Sequence, residues 1–418
     1  MTLVDVGGAL EVFCFGYPFV MAWYWITGGL LFRWIRERHE PRPDQPPPLA
    51  SYPAVSLLVP CFNEEQQIAE TFAALAAIEY PDLEILAIND GSRDGTAAAL
   101  NRLAQSMPRL RVIHLASNQG KSTALNVGAL AARGDILVCI DGDALLEPHA
   151  VTWFVRRFQC EPQLGALTGN PRIRNRASLL GKLQVGEFSS IVGLIKRTQT
   201  AYGSLFTVSG VVCAFRRKAL HDASWWARGA LTDDVDVSWR IQCAGWRIAY
   251  EPKALCWILM PETLKGLWQQ RLRWSEGGAR AVLESLPYLA DARARRLLPV
   301  CVNFFVATAW AYAIALFALW TFAGRLPVFP GEWLPGPSPV PPAWGSLLAL
   351  TYLIQALVSA GLDERFEKGM MANIFWVVWY PLAFWALQAA TAIVGMPKAI
   401  ARPRSAAGTW VSPDRGFR

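Results

Sequence analysis

The chain has 418 residues, room for one catalytic-sized domain and something beside it. Hydrophobic residues make up 53%, tryptophan alone occurs 19 times and mean hydropathy is +0.23, which excludes an ordinary water-exposed globule and points to a chain partly embedded in a membrane. The net charge of +7 gathers beside apolar runs and no aromatic–basic RNA-binding signature occurs, so nucleic acid is excluded in favour of anionic lipid and a phosphorylated substrate. Eight cysteines stand singly with no CxxC pair, which fits a reduced compartment and argues against a zinc site or a disulfide framework.

In chain order, the first element is Val12 to Phe32, 21 positions without a charge, about 31 Å long as a helix and enough to cross a membrane. It has no basic leader, so it reads as an anchor and not a cleaved signal. RWIRERHEPR follows it, which predicts an outside N-terminus and a cytoplasmic domain next. EPRPDQPPPLASYP (40–53) is a Pro-rich linker. From Ala54 the pattern changes to short apolar runs, VSLLVP, EILAIND, LRVIHL and DILVCID, separated by helix-like stretches such as EEQQIAETFAALAAI. Alternation of this kind predicts an α/β domain with a mostly parallel sheet covered on both faces. SLLGKLQVGEFSSIVGLIK (178–196) and GLWQQRLRWSEGG (266–278) read as amphipathic helices, facing the core or lying on the membrane.

Three more apolar runs follow, Leu297–Gly324, Trp344–Leu362 and Gly369–Pro397, the last with Pro381 near its middle, which predicts a kink or re-entry. A Pro/Gly-rich loop (326–344) separates the first two, placed on the outer face. The expected organisation is therefore an N-terminal transmembrane helix (1–38), a linker (39–53), a catalytic domain (54–260), an interfacial amphipathic segment (261–296), about three C-terminal spans (297–397) and a basic tail (398–418).

Ligands of parallel sheets bind beyond the carboxyl ends of the strands. CFNEE follows the first strand, NDGSRDGT the second and DGD the fourth. Each alone can be only a turn or a helix cap; three acidic clusters on one sheet edge suggest more. Asp141 and Asp143 point to one side, where a divalent cation carrying a diphosphate satisfies both charges. Asp90 is placed to accept from a nucleobase edge, and Lys121, in NQGKSTALN, to approach phosphates. A Walker P-loop and a GxGxxG are both absent, which argues against a P-loop ATPase or a dinucleotide enzyme. In ALTDDVDVSW, Thr232 reads as a helix N-cap with Asp233 and Asp234 in the first turn; a carboxylate there is also available as a base toward a sugar hydroxyl. Arg271 and Arg273 suit diphosphate oxygens and Trp274 suits a sugar ring; the alternative is a basic membrane-surface helix.

The set CFNEE, NDGS, DGD, TDD and QRLRW, in this order and flanked by spans, resembles the membrane-integrated processive family-2 glycosyltransferases, which include cellulose, chitin and hyaluronan synthases. VCIDGDALL, TGNPRIR, VGEFSSIVGLIKRTQ, FTVSGV, CWILMPETLKGLWQQRLRW and WVSPDRG resemble the branch of bacterial poly-β-1,6-N-acetylglucosamine synthases, from about residue 20 to the end. The resemblance implies a Rossmann-like GT-A domain on an α-helical membrane region, UDP-N-acetylglucosamine as donor, Mg²⁺ (or Mn²⁺), and an inverting single displacement coupled to polymer export through the bacterial inner membrane. It also implies a small membrane partner subunit and cyclic-di-GMP control. Carried over, Glu64, Asp90, Lys121 and Asp141 serve the nucleotide, Asp143 with Asp141 the metal, Asp234 is the general base with Asp233 beside it, and Gln270, Arg271, Arg273 and Trp274 hold the diphosphate and the acceptor end. The chain departs from the family's usual pattern in Asp233, where glutamate is usual, in Asn89 before Asp90, and in having one N-terminal span where two are common. Alternative products are hyaluronan, chitin or cellulose; other classes are a non-processive lipid-linked sugar transferase and an inactive transporter or scaffold.

Overall fold

The computed structural model describes residues 3–324, 340–377 and 380–402. Helix α1 (Leu3–Phe32) continues through a π-helical turn over Arg33–Glu37. Four parallel strands follow, β1 (Val55–Cys61), β2 (Leu83–Asn89), β3 (Leu110–His114) and β4 (Ile136–Ile140), joined by α2 (Ile68–Ala76), α3 (Thr96–Ser106) and α4 (Lys121–Ala131). Next come β5 (Leu145–Leu146), α5 (Ala150–Cys160), β6 (Leu164–Ile173), α6 (Leu179–Glu187), a π-helical stretch Phe188–Ile195, α7 (Lys196–Tyr202), β7 (Val212–Arg216), α8 (Arg217–Asp222), α9 (Asp233–Cys243) and β8 (Arg247–Ile258). The sheet order is β3-β2-β1-β4-β7-β6-β8-β5. β7 runs antiparallel to β4 and β6, β6 and β8 run parallel, and β5 runs antiparallel to β8.

Every residue of β1 and β4 is buried, as expected for strands covered on both faces. The alternation of side chains sorts them: Leu57 and Val59 join one core with Phe72, Leu100 and Phe154, while Leu58 joins another with Leu125, Leu220 and Ile241. α2, α3 and α5 thus cover one face and α4, α8 and α9 the other. β1 lies between β2 and β4, so the chain reverses its direction of travel across the sheet there, and the crevice at that point is where a ligand is expected.

The remaining helices are α10 (Leu264–Ser285), α11 (Leu298–Ala323), α12 (Pro342–Asp363), α13 (Ile374–Val377) and α14 (Tyr380–Ala401). Among the described residues, three segments are long and apolar enough to cross a membrane: Gly7–Glu37, Arg295–Ala323 and Pro342–Asp363. The fourth expected span, Gly369–Pro397, includes residues outside those described. Gly369 takes a φ of 85°, Met370–Asn373 form a 3₁₀ turn, and the described helical residues beyond are α13 and α14. α14 packs on α10. A Cβ at Gly395 would lie 2.7 Å from Ser275 Oγ, and Arg402 pairs with Glu276 at 3.0 Å. α14 therefore lies along the polar helix α10. The segment 178–196 is a continuous helical stretch whose Gly181, Gln184, Val185 and Glu187 are buried, so it faces the protein. The Pro-rich linker is docked on α5: Trp153 Nε1 donates to the Pro43 carbonyl at 2.8 Å and Arg156 pairs with Glu40 at 3.2 Å. The loop expected at 326–344 and the basic tail fall mostly outside the described residues.

Candidate active site

β4 ends at Ile140, and Asp141–Gly142–Asp143 turn away from it at the crevice. Space demands the glycine: a Cβ on Gly142 would come within 3.2 Å of Glu64 Cγ and of the Pro60 carbonyl oxygen. Glu64, 1% exposed, is therefore packed against the aspartate turn. Burial and then Glu64, Asp143 and Asp141 push the Cys61 thiol well above its ordinary pKa, so three carboxylates gather at one strand end.

Lys121 makes that concentration of charge tolerable. Its Nζ lies 2.5 Å from Asp141 Oδ1, 3.1 Å from the Gly210 carbonyl oxygen and 3.8 Å from Asp233 Oδ2. Burial opposes this ammonium, but Asp141 and Asp233 outweigh it and hold its pKa above the usual lysine value. Asp90 aims it. Asp90 is fully buried, and its two carboxylate oxygens accept the N–H groups of Gln119 and Gly120 at 2.8 and 2.9 Å, fixing the loop that opens α4. Burial raises its pKa although both N–H groups work the other way. A cavity of about 760 Å³ lies beside it, lined by Phe62, Ser92, Asn101, His114 and Asn118 among others.

Asp233 and Asp234 open α9, where the helix dipole favours negative charge. Thr232 occupies the N-cap position, but its side chain makes no capping bond. Asp234 binds the chain instead: Oδ1 accepts from the Val235 N–H at 2.9 Å and Oδ2 from the Gly210 N–H at 3.1 Å. Burial, reinforced by Asp233, raises the pKa of Asp234 against the opposing effects of Lys121, the Gly210 N–H and Arg273. Gly210 thus joins the two halves of the site, its N–H on Asp234 and its carbonyl on Lys121.

Helix α10 closes the other side. A Cβ on Gly277 would lie 2.3 Å from Thr232 Oγ1, so only glycine lets α10 approach α9 this closely. Arg273 is exposed and donates to the Leu231 carbonyl at 3.1 Å, next to the paired aspartates. Trp274 is 38% exposed. Arg271 is placed differently. It is 4% exposed, donates to Glu187 Oε2 of α6 at 2.5 Å and to Gln270 Oε1 at 2.9 Å, and stacks 4.2 Å from the Trp274 ring centre. The structure therefore brings Glu64, Lys121, Asp141, Asp143, Asp233, Asp234 and Arg273 toward one crevice. It turns Arg271 toward α6, with Gln270 accepting from it. Sequence reasoning missed Gly210 and Glu187 as individual residues: FTVSGV and VGEFSS carried the only signal, and neither spacing names a partner.

A sequence model described as glycosyltransferase like family 2 matches residues 53–277. The poly-beta-1,6-N-acetyl-D-glucosamine synthase of Staphylococcus aureus (strain COL) is 35% identical over 404 residues, covering 96% of this chain and 97% of that one. The chain belongs to the family 2 glycosyltransferases. A synthase of the same name from Staphylococcus epidermidis is 33% identical over 413 residues, again across 96% and 97% of the two chains. Among solved structures, a mannosyltransferase from Pyrobaculum calidifontis in complex with GDP-Man and Mn²⁺ superposes with a TM-score of 0.63 at 22% identity, over 96% of this chain and 99% of that chain. That likeness concerns the fold, which is GT-A.

In this family 2 glycosyltransferase the oxygen donors fit a hard divalent cation. Asp141 and Asp143 are two carboxylates one residue apart at a strand end, and Mg²⁺ characteristically takes one or two carboxylates and completes its shell with phosphate oxygens and water. Among the described residues no group of three or more His, Cys, Asp or Glu side chains is arranged to hold a metal ion.

Proposed function

We propose that the protein polymerises N-acetylglucosamine from UDP-N-acetylglucosamine into a β-1,6-linked chain. The observation that carries this reading is the Gly210 bridge, which ties a charge-binding half, Lys121 with Asp141, to a base half, Asp233 with Asp234, in one hydrogen-bonded unit. The extent of identity to the staphylococcal synthases supports the choice of sugar and linkage.

Asp143 with Asp141 would hold a divalent cation, Mg²⁺ or Mn²⁺, which when bound neutralises diphosphate charge. Lys121 stands ready to transfer its pairing from Asp141 to a phosphate oxygen. The cavity beside Asp90 takes the nucleoside, and Asp90 holds Lys121 in place. Asp234 accepts the proton of the acceptor's 6-hydroxyl as that oxygen attacks the anomeric carbon; the bond from that carbon to the diphosphate oxygen breaks and its electron pair leaves with UDP. Attack from the face opposite UDP converts an α donor into a β linkage. Arg273 steadies the leaving diphosphate, Trp274 offers its indole to the acceptor sugar, and Arg271 and Gln270 hold Trp274 in position.

The three candidate spans support a setting at an inner bacterial membrane, and in this reading the catalytic domain faces the cytoplasm, where the charged donor is made. A polar polymer cannot cross hydrocarbon unaided, so processive elongation into a path between α1, α11 and α12 belongs to the same reading. So do a small membrane partner subunit and cyclic-di-GMP control; full activity without either would remove them.

The test is UDP release and product length from the purified chain with UDP-N-acetylglucosamine and Mg²⁺, beside Asp234→Asn. Long β-1,6 polymer from the parent and none from the variant supports the reading. Turnover only with UDP-glucose or UDP-glucuronate moves the product to the cellulose or hyaluronan type. Transfer of one sugar to a lipid phosphate identifies a non-processive enzyme.

A further inference from the structure

Lys196, the first residue of α7, is a buried cation that the chemistry above leaves unused. Its Nζ donates to Thr168 Oγ1 at 3.0 Å and to Ser209 Oγ at 2.8 Å. Among the described residues no carboxylate pairs with it directly. Buried lysines usually meet an acid, because an unpaired ammonium is costly to desolvate. Ser209 is the residue before Gly210, and its own N–H also donates to Thr168 Oγ1, at 2.8 Å. On the other side of the same turn, the Val208 N–H donates to Ser238 Oγ at 2.9 Å, and the Ser238 hydroxyl returns to the Asp234 carbonyl at 2.6 Å. The turn that presents Gly210 to Asp234 is therefore held by α9, which carries Asp234, by Lys121 at the Gly210 carbonyl, and by Thr168 together with Lys196 at Ser209.

We propose that Lys196 is a positioning residue for transfer: as the ammonium it fixes the Ser209–Gly210 turn, keeps the Gly210 N–H on Asp234, and adds its positive charge to that of Lys121 and Arg273 near Asp234. This rests on the assignment of Asp234 as the base. Among the described residues, the titratable groups acting on Lys196 are Asp234 from α9 and Cys213 from β7, and its hydrogen-bond partners are the hydroxyls of Thr168 on β6 and of Ser209. Burial lowers the Lys196 pKa to about 7, with Asp234 and Cys213 opposing it. The sign follows. The ammonium is present below that value and is lost as pH rises through it, so the free enzyme loses its buttress on the alkaline side. A bound diphosphate adds negative charge near the site and moves the loss to higher pH. The limb thus belongs first to kcat/KM, which reports the free enzyme.

The experiment compares parent, Lys196→Met and Lys196→Arg, all full-length in detergent, for donor turnover from pH 5.5 to 9.5 and for UDP binding. The expected result has three parts. Lys196→Met lowers kcat about 10-fold, the scale of losing hydrogen bonds to a charged group, while UDP binding stays within about twofold of the parent, since no UDP contact changes. The alkaline limb of kcat/KM vanishes in Lys196→Met. In Lys196→Arg, whose charge persists at every pH tested, that limb moves beyond pH 9, well below the guanidinium pKa of roughly 12.5. Parent rates and a parent pH profile in Lys196→Met overturn the proposal. So does equal loss of UDP binding and turnover in both variants, which marks a folding support. An inactive parent overturns the transferase reading and this inference with it; an active parent with an indifferent Lys196→Met overturns this inference alone.

Discussion

Asp234 illustrates how one side chain can cost stability and supply chemistry. Its pKa is raised chiefly by burial and by Asp233, so the folded state favours the protonated form. Above the raised value the ionised carboxylate is carried at a folding cost, and below it the carboxyl proposed as the base carries a proton. Two outcomes follow. The acid limb of activity lies above the ordinary aspartate range, read from kcat against pH. Asp234→Asn loses about 10²–10⁴ in rate, yet unfolds at neutral pH no more easily than the parent, because removing a desolvated charge offsets the loss of one of the two backbone N–H bonds the carboxylate accepts. Asp143 makes a separate prediction. Asp143→Asn weakens activation by Mg²⁺ or Mn²⁺, raising the metal concentration needed for half-maximal turnover about 10-fold or more, on the order of one lost charged ligand; chelation stops turnover of the parent and leaves its circular dichroism unchanged.

At the scale of elements, helix α10 depends on a contact that its own sequence does not reveal. Arg271 and Glu187 bury their charges against each other across α6 and α10. Burial raises the Glu187 carboxyl pKa and Arg271 only partly opposes this. Removing one partner strands the other, which costs about 3–5 kcal/mol for a buried pair. Arg271→Met therefore lowers the detergent-measured unfolding temperature and shifts Trp274 fluorescence. Adding Glu187→Met to it restores much of the stability, because a well-packed apolar pair replaces a buried ionic one. If Arg271 instead gripped the diphosphate, the double variant would recover neither UDP affinity nor rate.

The whole molecule is joined by a second ionic cluster. Arg197 on α7 pairs with Glu37 below α1 at 2.8 Å and with Asp363 at the end of α12 at 2.9 Å, while Arg172 on β6 also reaches Asp363 at 2.9 Å. All four are almost fully buried. Two candidate spans are thus pinned to the sheet through carboxylates at their ends, and the Pro-rich linker is laid over α5 between them. Arg197→Met should destabilise the assembly by about 3–5 kcal/mol and expose residues 38–54 to protease; because the cluster is buried, 1 M salt should leave the parent's stability almost unchanged. A salt-sensitive parent would argue for a solvated contact instead.

The local chemistry of the site was legible in the sequence because it follows rules of short range. Apolar runs of strand length ending in CFNEE, NDGS and DGD placed acids at the carboxyl edge of a parallel sheet, and TDD announced the start of a helix. Long apolar runs announced candidate spans by length alone, and three helices among the described residues have that length and composition; that Gly395 of α14 sits against Ser275 of α10 is a contact no hydropathy count contains. What only tertiary structure decided is which charge meets which. Asp90 turned from an open site to aiming Lys121, Arg271 from the crevice to Glu187, and Lys196, Glu37 and Asp363, unremarkable as letters, became buried partners. Strand and helix periodicity is set by neighbours along the chain, whereas a buried charge is defined by a partner that in the Arg197–Asp363 pair lies 166 residues away. Composition fixes that such charges exist; only the fold removes the water and so makes their pairing count.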